Sequence, residues 1–368
     1  MVVVSSGYSS GVRLVNYALR PYVLAALLAL GSAVVTIAVA THYDLPLRDP
    51  DGIAGPAYLR LPGAVALFVL LDVVPRWIHR RGQLRQILRE RYGPGRMALV
   101  AVGLAVFYVS YVSYRNLKGA LPFARPEHLD HQLLNLDRLL GFGHDPGNLL
   151  HELLGTGTSA YVLSAVYLGF LAFVPLSLGT ALVWARSIRI GAWYVTALCL
   201  NWLLGALSYY LVPSLGPVFV RPDIVADLPE SGVSHLQQSL EMARLQVLAD
   251  PSGADAIAGV AGFASLHVSI VFTAALMAHR IGLPLLVRWA MWVFLALTIT
   301  ATIYFGWHYI VDDIAGLAIG TASVLLAGWA TGQFRRSATV LEDEPAGGSR
   351  RMPALLSRRR PETSPSTP

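Results

Sequence analysis

Apolar stretches of roughly the length that an α-helix needs to cross a bilayer, ~20 residues for ~30 Å of hydrocarbon, recur along this chain from residue 22 to residue 331. A helix satisfies its own backbone N–H and C=O groups, which hydrocarbon cannot, so these stretches are read as membrane-spanning helices. Eight are expected, near residues 22–41, 61–78, 97–114, 158–185, 191–212, 262–279, 288–305 and 309–331. The composition agrees: 55% of residues are hydrophobic, 14% are charged, and the mean hydropathy is +0.54, far from the balance of a soluble domain. The chain is therefore expected to be all-α, a polytopic membrane helix bundle with about eight transmembrane helices.

The formal net charge of +6 is not a nucleic-acid signature. The arginines stand in short groups between apolar runs, where basic residues mark the cytoplasmic side. Arg76, Arg80, Arg81, Arg85, Arg89, Arg91 and Arg96 follow the second run. With that loop inside, alternate counting puts Arg13 and Arg20, Arg186 and Arg189, Arg280 and Arg288, and Arg335 and Arg336 on the same side. Both termini are then cytoplasmic, and segments 42–60, 115–157, 213–261 and the turn at Gly306-Trp307 face outward, as expected of a multi-pass plasma-membrane protein.

The first run is preceded by Arg13 and Arg20 and is too long for a typical signal sequence, so it is read as a retained span. Cys199 is the only cysteine, which leaves no intrachain disulfide and no thiolate metal cluster. Residues 131–140 and 236–248 have the pattern of amphipathic surface helices. Asp72 lies inside the second run with no partner evident from the sequence. From about Ser337 the chain is polar and rich in Pro, Ser and Arg, a composition that cannot build a core, and a disordered cytoplasmic tail is expected.

Chemistry concentrates at the outer ends of the later spans. His308-Tyr309-Ile310-Val311-Asp312-Asp313 opens the eighth run. At about 100° per helical residue, Asp312 falls some 40° from His308 and Asp313 about 140° away. Asp312 is therefore expected to share a face with His308, where a carboxylate fixes the imidazole tautomer and stabilises its cation. The same row continues through Gly316 and Gly320, small residues that let another helix approach. His267, in Gly262-Phe263-Ala264-Ser265-Leu266-His267, opens the sixth run from the same side. Ionisable groups at matched depth in a membrane are costly and point to function. His128, His131, His144, His151 and His235 lie in the outer segments without such company and are read as structural.

Three blocks resemble those of the type-2 phosphatidic acid phosphatase superfamily, a group of integral-membrane lipid phosphatases and phosphotransferases. The first is Lys118 through Arg125-Pro126, which contains the only lysine of the chain. The second is Ala264-Ser265-Leu266-His267, which lacks the family's proline. The third runs from His308 through Asp312 to Gly316, with Thr302 where the classical phosphatases carry an arginine. Tyr304-Phe305-Gly306-Trp307-His308-Tyr309 and the stretch Asp137–Pro146 are more similar to the inositol phosphorylceramide synthase-like branch, whose members move a phosphorylated head group between lipids.

The resemblance implies a six-helix catalytic core at residues 97–332, preceded by a region 1–96 with two additional spans and followed by the tail 333–368. It implies that His308 is the nucleophile that forms a phosphohistidine, Asp312 orients it, and His267 protonates the leaving oxygen. Lys118, Arg125 and Ser265 would hold the phosphoryl oxygens, with Arg221 or Arg115 as substitutes for the arginine absent at Thr302. It implies no metal or other cofactor, and its partners are a lipid phosphate donor and a lipid or alcohol acceptor in the bilayer. The expected activity is transfer of a phosphate or phosphorylated head group such as inositol phosphate, with lipid phosphate hydrolysis as the alternative. From the residues alone, a proton or ion pathway, or a metal site of two histidines and one carboxylate, stays open.

Overall fold

The computed structural model describes residues 20–49, 55–80, 83–185, 187–254, 257 and 259–334. Arg13, Arg81, Arg186, Arg335, Arg336 and the tail expected from Ser337 lie outside the described residues. Among the described residues every regular element is helical. In chain order these are α1 (Val23–His42), α2 (Ala57–His79), α3 (Leu84–Arg91), α4 (Pro94–Ala124), α5 (Asp130–Leu140), α6 (Pro146–Leu154), α7 (Thr158–Gly179), α8 (Ile188–Leu211), α9 (Pro217–Val220), α10 (Gly232–Ala249), α11 (Leu266–Arg280), α12 (Leu285–Tyr304) and α13 (Ile310–Ala330).

Seven of these helices, α1, α2, α4, α7, α8, α12 and α13, are long and apolar enough to cross a membrane, which makes this a multi-pass membrane protein. The sixth expected span, 262–279, is the exception. It appears as α11, with only 15 residues, or about 22 Å at 1.5 Å per residue. Its start is delayed because four successive backbone N–H groups are spent elsewhere. Gly262 N–H donates to the Ser214 carbonyl at 2.8 Å, Phe263 to Ser214 Oγ at 2.9 Å, Ala264 to Ser208 Oγ at 2.9 Å, and Ser265 to the Asp312 carbonyl at 2.9 Å. These bonds hold the segment on an extended path as far as Ser265, whose backbone (φ −65°, ψ 104°) is that of the N-cap at which the helix begins.

The centre of the bundle is α8. Its residues Gly191 through Trp202 are all buried, and it packs against α4, α13, α11 and α1. Polar side chains fix these contacts. Trp193 Nε1 donates to the Val324 carbonyl of α13 at 2.9 Å. Asn201 Nδ2 donates to Thr273 Oγ1 of α11 at 3.0 Å, and Ser269 Oγ donates to Asn201 Oδ1. Such bonds are specific inside hydrocarbon because an unmade one has no water to replace it. At the periphery α12 turns Leu286, Trp289 and Val293 outward, as a lipid-facing helix must.

The Gly316–Gly320 row has the role expected of it. A methyl at Gly316 would collide with the Ser265 backbone carbonyl, and one at Gly320 would stand 2.8 Å from the Ser269 carbonyl. Without side chains there, α13 lies directly on α11, and the two helices begin at the same level. The amphipathic segments are helices too, α5 and α10, and α5 buries Leu133 and Leu134 as expected, but its two aspartates depart from the pattern. It buries Asp130 and Asp137 and exposes Leu136, Leu139 and Leu140. Asp72 on α2 finds Arg76 at 2.9 Å, Arg91 at 2.8 Å and the Tyr92 hydroxyl at 2.8 Å.

Candidate active site

Two helix N-termini, those of α11 and α13, meet through the Ser265 N–H to Asp312 carbonyl bond. Each start leaves backbone N–H groups without intrahelical partners, and each carries the positive end of a helix dipole. The histidines stand at these starts. His267 is the second residue of α11, and His308 precedes α13 by two residues. Their ring centroids are 5.9 Å apart.

His308 Nδ1 faces Asp312 Oδ2 at 3.4 Å, both side chains being buried. The same oxygen accepts the Tyr309 N–H at 2.9 Å. The expectation that helical phase pairs these residues is corrected in its reason, because His308 lies before the helix. Asp312, on the first turn of α13, folds back as a capping acid and meets His308 on the way. The carboxylate that bonds His308 is that of Asp312 and not that of Asp313. Asp313 is within electrostatic reach of the His308 imidazole, adjoins Ser265, and accepts the Thr302 hydroxyl at 3.0 Å. Thr302 also receives the backbone N–H groups of Trp307 at 2.9 Å and His308 at 3.3 Å on its carbonyl. The position that carries an arginine in the classical phosphatases is thus built into the His308 turn.

Lys118 on α4 lies within electrostatic reach of both histidines, with Nζ 5.2 Å from the Tyr209 ring centroid. Ser265 is buried at the cap of α11, and its Oγ accepts the Val268 N–H at 3.5 Å. Arg125, the C-cap of α4, donates from Nη1 to the Tyr210 carbonyl at 2.7 Å. Arg221 differs from expectation. It binds Asp145 at 3.0 Å and Asp223 at 2.5 Å, and Asp145 also holds Arg138 at 2.8 Å. Its charge is neutralised by two carboxylates, and the structure does not bring it to the histidines. Among the described residues no three His, Cys, Asp or Glu side chains group to hold a metal ion.

Residues 131–326 match the sequence profile of the PAP2 superfamily, more than half of the chain. The chain belongs to the PAP2 superfamily. At the level of the superfamily this makes it a phosphatase- or phosphotransferase-type enzyme of lipid phosphates. The matched segment contains both histidines and both candidate aspartates, and it begins after Lys118 and Arg125. No curated protein and no solved structure shows a significant match to the chain.

Two features of this PAP2 site were not anticipated. The first is an aromatic wall. Tyr167 stacks on His267 at 4.5 Å and on Trp307 at 5.1 Å, Phe170 lies 4.2 Å from the His267 ring, and Phe219 meets Trp307 edge-on. Nothing in the spacing of these residues marks them, because in an apolar span any aromatic has lipid or core to face.

The second is a clamp from α5. Asp130 accepts the Leu215 and Gly216 N–H groups at 3.0 Å and the Tyr309 hydroxyl at 3.0 Å, while Asp137 accepts the Ile310 N–H at 2.7 Å. Gly216 is required there. Its φ is +104°, in the region that favours glycine, and a side chain would strike the Trp307 carbonyl. Burial pushes the Asp137 carboxyl up to about 7, against the backbone N–H of Ile310, and the nearby Asp312 adds to the rise. The seven-residue separation of two aspartates, two helical turns on one face, was the available signal. The histidines read as structural are spread along the outer segments. His151 Nε2 meets the Tyr304 carbonyl at 2.8 Å, and His128 lies against Arg244.

Proposed function

We propose that the chain is an integral-membrane lipid phosphotransferase that moves a phosphate or a phosphorylated head group between lipids through a phosphohistidine on His308. The observation that carries this reading is the pair of imidazoles at converging helix starts, 5.9 Å apart, with His308 Nδ1 turned to Asp312. A neutral imidazole whose Nδ1–H donates to a carboxylate keeps its Nε2 lone pair for attack. That lone pair forms the N–P bond as the P–O bond to the donor lipid breaks, and protonated His267 gives its proton to the departing oxygen. In the second half, neutral His267 takes the proton of the incoming hydroxyl as that oxygen displaces His308. Covalent catalysis divides one difficult displacement into two, and the positioned acid contributes about 10²- to 10⁴-fold.

Hydrolysis differs only in the use of water for the second step. Two observations favour an alcohol acceptor. The wall of Tyr167, Phe170 and Trp307 makes the surroundings of His267 apolar, which disfavours a resident water. Thr302 takes the place of the classical arginine, as in the inositol phosphorylceramide synthase-like branch. The arginine distribution supports an extracytoplasmic site at the outer leaflet of the plasma membrane with both termini cytoplasmic.

The test incubates purified protein with lipid phosphates and phosphoinositides, with and without alcohol acceptors, and identifies products by mass spectrometry. Wild type is expected to form transferred products, and His308→Ala to lose at least about 10³-fold in turnover while keeping its elution profile in detergent. Undiminished turnover in His308→Ala sinks the mechanism. Release of inorganic phosphate alone, with acceptor present, assigns hydrolysis.

A further inference from the structure

We propose that Arg115 is a phosphoryl-binding residue of this site, acting beside Lys118 on the phosphate oxygens. The proposal rests on the phosphoryl-transfer reading above and adds a ligand to it. A phosphoryl group in transfer spreads negative charge over its oxygens, and positioned cations are the main means of stabilising it. Arg125, Arg221 and Thr302 are committed. Arg125 spends Nη1 on the Tyr210 carbonyl, Arg221 is held by Asp145 and Asp223, and Thr302 bonds Asp313. Lys118 alone would meet a dianion with a single positive charge.

Arg115 is placed otherwise. It lies three residues before Lys118 on α4, so the two side chains leave the same helix face, and its charge reaches Lys118. Its guanidinium extends toward the segment that leads into α11, where a side chain on Gly259 would meet Nη2 at 3.9 Å. Three residues further along that segment, Gly262 directs its carbonyl at the His308 imidazole. Among the described residues no carboxylate, hydroxyl or carbonyl accepts a hydrogen bond from Arg115, and its Nε is buried with no partner.

An arginine does not shed its proton to relieve this. Arg115 is half-buried, and a guanidinium N–H buried without an acceptor is costly, while a second cation one turn away adds repulsion. Both penalties vanish when an anion lies between the two. The planar fork of Arg115 fits two phosphoryl oxygens at once, and Lys118 supplies a point charge to the third.

The experiment uses the full-length protein in detergent, with orthovanadate as the phosphoryl probe and phosphatidic acid as the lipid. Vanadate affinity is measured by titration calorimetry for wild type, Arg115→Gln, Arg115→Lys, His308→Ala and Arg89→Gln, the last on the exposed face of α3. Arg115→Gln is expected to weaken vanadate about 10- to 100-fold, the range of a charge-assisted hydrogen-bonded contact. Arg115→Lys is expected to weaken it less, about 3- to 10-fold, because charge is kept and the fork is lost. Arg89→Gln should match wild type.

Wild-type affinity in Arg115→Gln overturns the proposal. If that variant does not fold, wild-type affinity in Arg115→Lys overturns it. Lipid turnover lost in His308→Ala but unchanged in both Arg115 variants removes this proposal and leaves phosphoryl transfer standing. A wild-type protein that neither binds vanadate nor turns over phosphatidic acid removes both.

Discussion

Buried acids near the two ends of α4 have opposite surroundings. Near its start Asp72 is met by Arg76, Arg91 and the Tyr92 hydroxyl. Near its other end Asp312 and Asp313 each keep one carboxylate oxygen buried without a partner. The first arrangement is what a folded chain needs when it buries a charge, since both carboxylate oxygens of Asp72 have partners of opposite charge or a hydroxyl donor. The second retains unmet hydrogen-bonding capacity beside two histidines that Lys118 also reaches, so the cost of burial is not recovered within the chain. Unanswered polar groups converging on one place are what a site that binds a charged substrate has before the substrate arrives. Breaking each end separately tests that distinction.

The largest effect belongs to the histidine end. Asp312→Asn keeps the shape of the side chain, and its one oxygen can still meet both His308 Nδ1 and the Tyr309 N–H, which share a single oxygen in the aspartate, but the negative charge behind the imidazole is lost. Turnover should fall by about 10²- to 10⁴-fold, as when the acid behind a catalytic histidine is neutralised. Asp313→Asn should cost less, about 10-fold, because its firm contact is to the Thr302 hydroxyl, which bonds an amide oxygen equally well. Steady-state rates of both variants check the order. The reverse order would make Asp313 the acid that acts on His308.

Next comes the contact that brings the two starts together. Gly→Ala inside a helix ordinarily gains up to about 1 kcal/mol. At Gly316 the added methyl meets the Ser265 backbone carbonyl, which cannot rotate away as a side chain does, and overpacking of this kind costs about 1–3 kcal/mol. Gly316→Ala should therefore separate the histidines, lowering kcat at least about 10-fold while the apparent Tm falls by only a few degrees. Full activity in Gly316→Ala would show that the spacing of α11 and α13 is not critical.

Asp72→Asn probes the other end and should leave kcat per folded molecule unchanged. It strips two arginines of their acid. Because these are 39% and 38% exposed, the loss is at the lower end for ion pairs, about 1–2 kcal/mol. A thermal scan in detergent together with a turnover assay reads it. A fall in turnover at unchanged Tm would tie the two ends of the bundle together and dissolve the contrast.

The sequence announces the parts of this molecule that depend on one dimension. Long apolar runs give α1, α2, α4, α7, α8, α12 and α13 directly, because membrane thickness sets their length. The pairing of His308 with Asp312 is legible from spacing, although the backbone achieves it by a capping turn and not by a helical face. What escapes is whatever depends on distant chain meeting distant chain. Arg221 looks as available as Arg115 in the sequence, and only folding shows that Asp145 and Asp223 have claimed it. The late start of α11 is equally hidden, since it follows from bonds that Gly262 through Ser265 make to Ser208, Ser214 and Asp312. Asp130 and Asp137 are visible as a pair on one face, but an amphipathic surface helix ordinarily turns its acids to water, and this one turns them to the His308 loop.

That inversion yields the smallest effect expected here, and one with a definite sign. In the folded chain burial raises the Asp137 carboxyl from its ordinary value of 3.8 to about 7. Between those values the folded state holds a proton that the unfolded chain has released. Stability linked to this group therefore falls as pH rises from about 4 to 7, and at higher pH the charged carboxylate is borne at full cost. Asp137→Asn still offers an oxygen to the Ile310 N–H and does not titrate. The apparent Tm of the wild type relative to Asp137→Asn should thus drop by a few degrees between pH 5 and pH 8. Parallel profiles would mean that the grip of α5 on the start of α13 does not change charge. A wild-type curve that rises relative to the variant would mean that Asp137 holds Ile310 as a carboxylate throughout, and the acid at this helix start would then resemble Asp72 more than Asp312.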